Sequence, residues 1–202
     1  MEFTLPAVPL TFEWIVPPTE CGLNDGVLSA TAPATTDIFV DPAGPHRTVN
    51  APRALAPAPD GDWRLSARVR VAFRDSFDAG VLLIWIDETR WAKLCFERSP
   101  AGVPMVVSVV CDGVADDANA WPVAGDVRDG VWLRIARRGS AYAFHASADG
   151  ASWEFVRHFA LAAEQTPRIG FVVQAPTGAG CSAVFDDVAF APNAPADLRD
   201  GS

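Results

Sequence analysis

Short apolar runs, each closed by proline, glycine, asparagine or aspartate, restrict this chain to β-structure. Runs such as "TFEWIV", "AGVLLIWID", "VPMVVSVVC", "VWLRIARR" and "RIGFVVQAP" are rich in Val, Ile, Phe and Trp, the residues that suit a pleated, half-buried surface. Several alternate strictly. In "RLSARVRV", Leu65, Ala67, Val69 and Val71 face one way and Arg64, Ser66, Arg68 and Arg70 the other, so one side of that strand is dry and one polar. The 17 prolines and 15 glycines punctuate these runs, and helical periodicity is almost absent. One short helical turn is expected in "FALAAEQTP", limited by Pro167. Many short strands with frequent turns imply an all-β sandwich or jelly roll. Residues 1–191 are expected as one domain. The stretch "DPAGPHRTVNAPRALAPAPDG" reads as a long surface loop, and the end "PNAPADLRDGS", residues 192–202, as a disordered tail.

Charge narrows the partners. The formal net charge is -9, which repels phosphate backbones and argues against nucleic acid and anionic membrane as main partners. No stretch approaches the roughly 18 apolar residues of a membrane span. The opening "MEFTLPAVPLTFEW" lacks a basic region followed by a long apolar segment, so a secretory leader is not expected. The four cysteines, Cys21, Cys95, Cys111 and Cys181, form no CxxC motif. Cys95 and Cys111 sit in or at the end of apolar runs, where a free thiol acts as a small hydrophobe. A cytoplasmic protein with reduced thiols is the expectation.

The run "WAKLCFE" raises the question of a site. Trp91, Lys93, Cys95 and Glu97 share one side of a strand, and Ala92, Leu94 and Phe96 the other. Lys93 and Glu97 are four residues apart, about 13 Å at ~3.3 Å per residue, and cannot pair with each other. Each needs a partner from a neighbouring strand or a ligand. Arg134 in "VWLRIA" has the phase to serve Glu97, and His145 and Gln174 also interrupt apolar strands. Trp85 and Trp91 flank the turn "IDETR" on or near the same side, where an aromatic ring would pack against an apolar ligand face. The structural alternative is an ion-pair network with no ligand.

Catalytic and metal motifs are weak. Asp87-Glu88, Asp116-Asp117 and Asp186-Asp187 are adjacent pairs, which point to opposite faces of a strand. His46, His145 and His158 are isolated, without HxH or HExxH spacing. The acidic stretch from Asp112 through Asp116 and Asp117 to Asn119 has oxygen ligands for calcium but not EF-hand spacing. No GxSxG or phosphate-binding loop is present, and no cofactor is expected.

The order "FDAGVLLIWIDETRWAKLCFE", "VVSVVCDGVADDA", "VWLRIARRGSAYAFHASADGASWEFVR" and "RIGFVVQAP" resembles a concanavalin A-like β-sandwich family of unknown function, similar to the yeast "regulation of enolase" protein. More remotely it is similar to the C-terminal sandwich domains of β-xylosidases. The resemblance covers roughly residues 25–190 and rests on Ala79-Gly80, Trp91 with Lys93 and Glu97, Arg134 in "WLRI", and the Asp149-Gly150 hairpin before Trp153. It implies a jelly-roll sandwich of two antiparallel sheets, one convex and one concave, with sugars often held on the concave face. It also favours Asp37 over Asp41 as a rim residue, because the resembling family has an acid after a threonine there. The reading reached is a non-enzymatic binding or regulatory module. Lys93, Glu97, Arg134, Gln174, Trp85, Trp91, His145 and Asp37 are its candidate ligand residues, and a carbohydrate or small polar metabolite its partner. A carbohydrate-active enzyme using Glu97 with a cross-strand acid, and a protein-interaction scaffold, remain alternatives.

Overall fold

The computed structural model describes residues 1–162 and 165–202. Two large antiparallel sheets hold nearly all of the strands. The first runs in the order β1 (Glu2–Leu5), β2 (Val8–Val16), β7 (Arg53–Pro57), β16 (Arg168–Gln174), β9 (Ala79–Asp87), β10 (Arg90–Arg98), β11 (Pro104–Asp112) and β12 (Val114–Pro122). The second runs β15 (Glu154–Ala160), β14 (Ala141–Ser147), β13 (Val131–Arg138), β8 (Trp63–Val71), β17 (Gly180–Ala191), β4 (Val27–Pro33) and β3 (Glu20–Asn24). A small hairpin, β5 (Ile38–Val40) and β6 (Arg47–Val49), stands apart. The sole helical element among the described residues is a 3-10 turn over Val127–Asp129. This is the jelly-roll sandwich that the strand pattern implies. The helical turn expected in 159–167 is not seen in its described part, where Phe159 and Ala160 end β15; residues 163 and 164 lie outside the described residues.

The period-two pattern of each strand sets its two faces. Leu82, Ile84, Leu94, Phe96 and Phe171 of the first sheet meet Leu65, Val69, Leu133, Ile135 and Phe185 of the second in one core. Gly80 permits close approach there: a Cβ on it would lie 2.6 Å from Cγ1 of Val69. The first sheet is also buried on its outer face. Ile38, Leu55, Val81, Leu83, Trp85, Trp91, Cys95, Val107 and Val172 form a second cluster, packed against Phe39, Val40 and Val49. A half-buried face is the rule for antiparallel sheets, and burial on both sides makes this one different.

Part of the cover, and one strand of the sheet, come from residues 41–61, the stretch expected to be a surface loop. Residues 34–52 fold back over the first sheet, and residues 53–57 become one of its interior strands. Backbone N–H and C=O of Thr36 pair with Ala175, each at 3.1 Å. Arg53 Nη1 donates to the carbonyls of Val49 and Ala51, and Arg47 pairs with Glu88 at 2.8 Å. The acidic stretch 112–119 is likewise no loop. Its alternation as β12 turns Asp116 to the side of the second sheet, where it meets Arg157 of β15 at 2.7 Å, and Asp117 to the covered face opposite Val109. Among the described residues no three His, Cys, Asp or Glu side chains are grouped to hold a metal ion.

Residues 192–202, expected as a disordered tail, lie across the outer face of the second sheet. Arg64 donates to the carbonyl of Asn193 (3.3 Å), Arg138 to that of Ala196 and Arg134 to that of Gly201 (2.7 Å). Leu198 packs on Ala136 and Ala143. Short polar composition read as disorder, but cationic side chains of the sheet satisfy the segment's carbonyls.

Candidate functional site

A cavity of about 200 Å³ lies between the first sheet and the 34–52 cover. It is lined by Asp37, Phe39, Phe77, Lys93, Glu97, Val109, Asp117 and Gln174. Strand register explains the grouping. One row across the sheet reads Gly170, Leu83, Lys93, Val109, Asp117; a second, four residues along β10, reads Gln174, Ala79, Glu97, Met105. The side chain between Lys93 and Glu97 on that face is Cys95. Small groups at Ala79 and Cys95 leave the space that longer polar side chains reach across.

Lys93 is 2% exposed. Its Nζ donates to Asp37 Oδ1 at 3.1 Å and to Gln174 Oε1 at 3.0 Å, 5.8 Å from the Trp91 ring centroid. Burial pulls the ammonium pKa down, but the charge of Asp37 and the other acidic groups outweighs it, so the pKa lies above its ordinary value. Asp37 is itself held. Its backbone N–H donates to Asn50 Oδ1 at 2.9 Å, and its Oδ1 accepts from Ile38 N at 2.7 Å. Gln174 turns its amide nitrogen to the carbonyl of Phe77 at 3.2 Å.

Glu97 differs from its neighbours. It is 8% exposed, yet its carboxyl has no hydrogen-bond partner among the described residues. Burial pushes it up to about 8; Lys93 opposes that shift, and Asp37 and Asp117 add to it. Below that pH the group is a carboxylic acid able to donate one hydrogen bond into the cavity. Burial also raises the carboxyl of Asp117. Cys95, fully buried, is pushed well above the ordinary thiol range and is an inert packing group, not a nucleophile.

Phe77 forms an aromatic wall at the mouth. It is 37% exposed and sits at φ 68°, a conformation uncommon and strained for a bulky residue. Both its backbone groups are engaged: its N–H donates to Arg98 O at 2.7 Å, and its carbonyl receives the Gln174 amide. Asp78 braces the same turn by accepting from the N–H groups of Arg74 and Asp75. Phe39, half-buried in β5, supplies a second ring.

Of the eight residues expected in the site, Asp37, Lys93, Glu97 and Gln174 come together. The other four do not line the cavity. Arg134 and His145 lie opposite each other on β13 and β14 of the second sheet, on its outer face under the 192–202 segment. Arg134 stacks over Trp153 at 4.2 Å, and His145 Nε2 meets the carbonyl of Leu198 at 2.8 Å. Their polar phase is as read, but period two does not say which sheet a strand joins. Trp91 is fully buried, and Trp85 lies beneath Arg53 at 4.6 Å; both pack in the second cluster. Phe39, Phe77, Val109 and Asp117 complete the lining instead. An aromatic ring inside the polar turn "RDSFD" was the available signal for Phe77.

Burial, assisted by the nearby Arg134 guanidinium, holds the His145 imidazole down at about 4. Truncation after Ala191 should return it towards the ordinary value of about 6.5. A histidine C2-proton titration by NMR reads this directly; an unchanged value would mean that the 192–202 segment is not what buries the ring.

A family model described as "Protein of unknown function (DUF1349)" matches residues 14–193. The chain belongs to that family. No curated protein sequence matches it. Among solved structures, a functionally unknown protein from Saccharomyces cerevisiae is similar at TM-score 0.79 and 19% identity, with 89% of this chain and 95% of the yeast chain covered. The xylan β-1,4-xylosidase of Bacillus halodurans matches at TM-score 0.67 and 14% identity over 84% of this chain and 34% of the enzyme. The carbohydrate-binding module CBM66 of Bacillus subtilis matches at TM-score 0.57 and 14% identity, covering 89% and 94%. At these identities the likenesses describe the fold. This DUF1349 chain spans about a third of the xylosidase's length.

Proposed function

We propose that this DUF1349 protein is a non-enzymatic binding module whose cavity on the first sheet takes one small polyhydroxylated ligand, a sugar or sugar-derived metabolite. The observation that carries the reading is Glu97: a buried carboxyl that faces a cavity and that no neighbour satisfies. Buried polar groups are nearly always paired, and a ligand hydroxyl is a fitting partner. Lys93 and Gln174 are already oriented by Asp37 and the Phe77 carbonyl, so little ordering is required on binding. Phe39 and Phe77 offer rings to the apolar face of a sugar. A cavity of about 200 Å³ has room for a small ligand on the scale of one sugar ring. That size, together with Asp37 being engaged by Lys93, favours binding over hydrolysis. The carbohydrate-binding module among the structural neighbours is in keeping with it, as an analogy of fold.

Phe77→Gly tests the reading. Glycine adopts φ 68° without strain, so the fold should persist with equal or higher stability while the aromatic wall is lost. In a thermal-shift panel of monosaccharides and their derivatives, at least one should raise the melting temperature of the wild type and have little effect on Phe77→Gly. A panel that shifts neither protein, or both equally, would remove the cavity as the binding site.

A further inference from the structure

The charges lining the cavity do not balance, and the imbalance specifies a ligand class. Three carboxyls, Asp37, Glu97 and Asp117, face one cation, Lys93. The Lys93 ammonium is matched by Asp37 at 3.1 Å and further satisfied by Gln174. Asp117 has no ion pair among the described residues, because Arg157 is taken by the adjacent Asp116. Glu97 has no partner and is more than nine-tenths buried. Two carboxyls are therefore left over, one at each end of the Lys93 to Glu97 stretch of β10 and its neighbours. The remaining lining offers no counter-charge: Phe39, Phe77 and Val109 are apolar, and Gln174 is neutral.

Resting on the binding reading above, we propose that the cavity selects a polyhydroxylated ligand bearing a protonated amine, of which an amino sugar is the simplest form, and discriminates against phosphorylated and carboxylated sugars. An ammonium group can donate to Glu97 or Asp117 in charge-assisted hydrogen bonds, and the faces of Phe39 and Phe77 attract a cation where they attract no anion. A phosphate would enter beside the Asp117 carboxylate, with a lysine already neutralised by Asp37 as its sole counter-ion, and it would oppose ionisation of Glu97; like charges so placed disfavour binding. A bare metal ion suits the site poorly, since no three acidic groups among the described residues converge to hold one. The groups facing Glu97 are Lys93 and Cys95 from its own strand, Asp37 from the cover, Asp117 from β12 and the neutral Gln174 from β16. None of these but Lys93 carries positive charge, so an entering ammonium is what would favour the ionised form of Glu97 and expel its proton.

Isothermal titration at pH 7 with glucosamine, glucose and glucose 6-phosphate separates the possibilities. Glucosamine should bind at least about tenfold more tightly than glucose, the scale of one charge-assisted hydrogen bond, and the phosphate should not bind. Titrations in two anionic buffers of different ionisation heat should show a proton released on glucosamine binding and none on glucose binding. Asp117→Asn, at an exposed position that does not threaten the fold, and Glu97→Gln should each reduce the preference for the amine, and Glu97→Gln should abolish the proton release. Equal binding of glucose and glucosamine, or tighter binding of the phosphate, would overturn the amine preference while leaving the binding module in place. No binding of any of the three, together with no effect of Phe77→Gly on the wider panel, would remove both.

Discussion

Lys93→Met should lower the unfolding free energy by about 3–5 kcal/mol, the range for breaking a buried pair from one side. The methionine keeps the length and most of the volume of the lysine stem but supplies no donor. Asp37 Oδ1 and Gln174 Oε1, which now converge on Nζ at 3.1 and 3.0 Å, would be left as two acceptors facing each other in a site Lys93 fills at 2% exposure. Glu97 would lose the single charge that lowers its pKa. The 34–52 cover depends on Asp37 being held against the sheet, so the loss should spread to β5 and β6 and loosen the second apolar cluster. Urea denaturation checks the size of the effect. The double variant Lys93→Met, Asp37→Asn should recover part of it, since removing both partners of a buried pair costs less than removing one. Additive losses would show that the two side chains do not act as a pair.

How much of this site could be read from residue order follows from what period two encodes. "WAKLCFE" set Lys93 and Glu97 on one face of a strand and ruled out their pairing with each other, and both hold in β10. The partner of Lys93 was out of reach by the same logic, because Asp37 enters from a segment with no long alternating run. β7, "RALAP", is hidden for a related reason: it is short and buried on both faces, Ala54 and Ala56 in the core and Leu55 in the second cluster, so no apolar and polar sides alternate clearly. Arg134 was drawn towards Glu97 by phase alone. Each sheet has an outer face, both carry polar residues, and sequence phase does not distinguish them. The carbonyls of 192–202 meet Arg134 on one side of the molecule while the 34–52 cover meets Lys93 on the other. The fold class is legible because it rests on many strands at once, whereas a site rests on which few strands become neighbours.

Glu97→Gln should flatten the pH dependence of stability. The folded state holds the Glu97 proton up to about pH 8, against an ordinary value of 4.5, so folding takes up protons between those limits. The stabilisation linked to the protonated carboxyl is fully present below the unfolded pKa and is lost as pH rises through the folded one. At ~1.4 kcal/mol per pKa unit, a displacement of this kind amounts to several kcal/mol, on the order of 3–5, between pH 4 and pH 9. Asp117, also raised, tilts the curve the same way by a smaller amount. Glutamine keeps the shape and titrates nothing. The variant should match the wild type near pH 4 and exceed its stability increasingly from pH 6 to 9, in urea melts at pH 4, 6, 7.5 and 9. Parallel curves would mean that Glu97 titrates normally and the cavity is open to water. A variant less stable than the wild type at every pH would mean that the carboxylate stabilises Lys93 as a structural pair, and the case for a ligand at Glu97 would then fail. Between those outcomes lies the expected one, in which the wild-type protein gives up stability near neutral pH to keep a carboxyl that faces the cavity without a protein partner among the described residues.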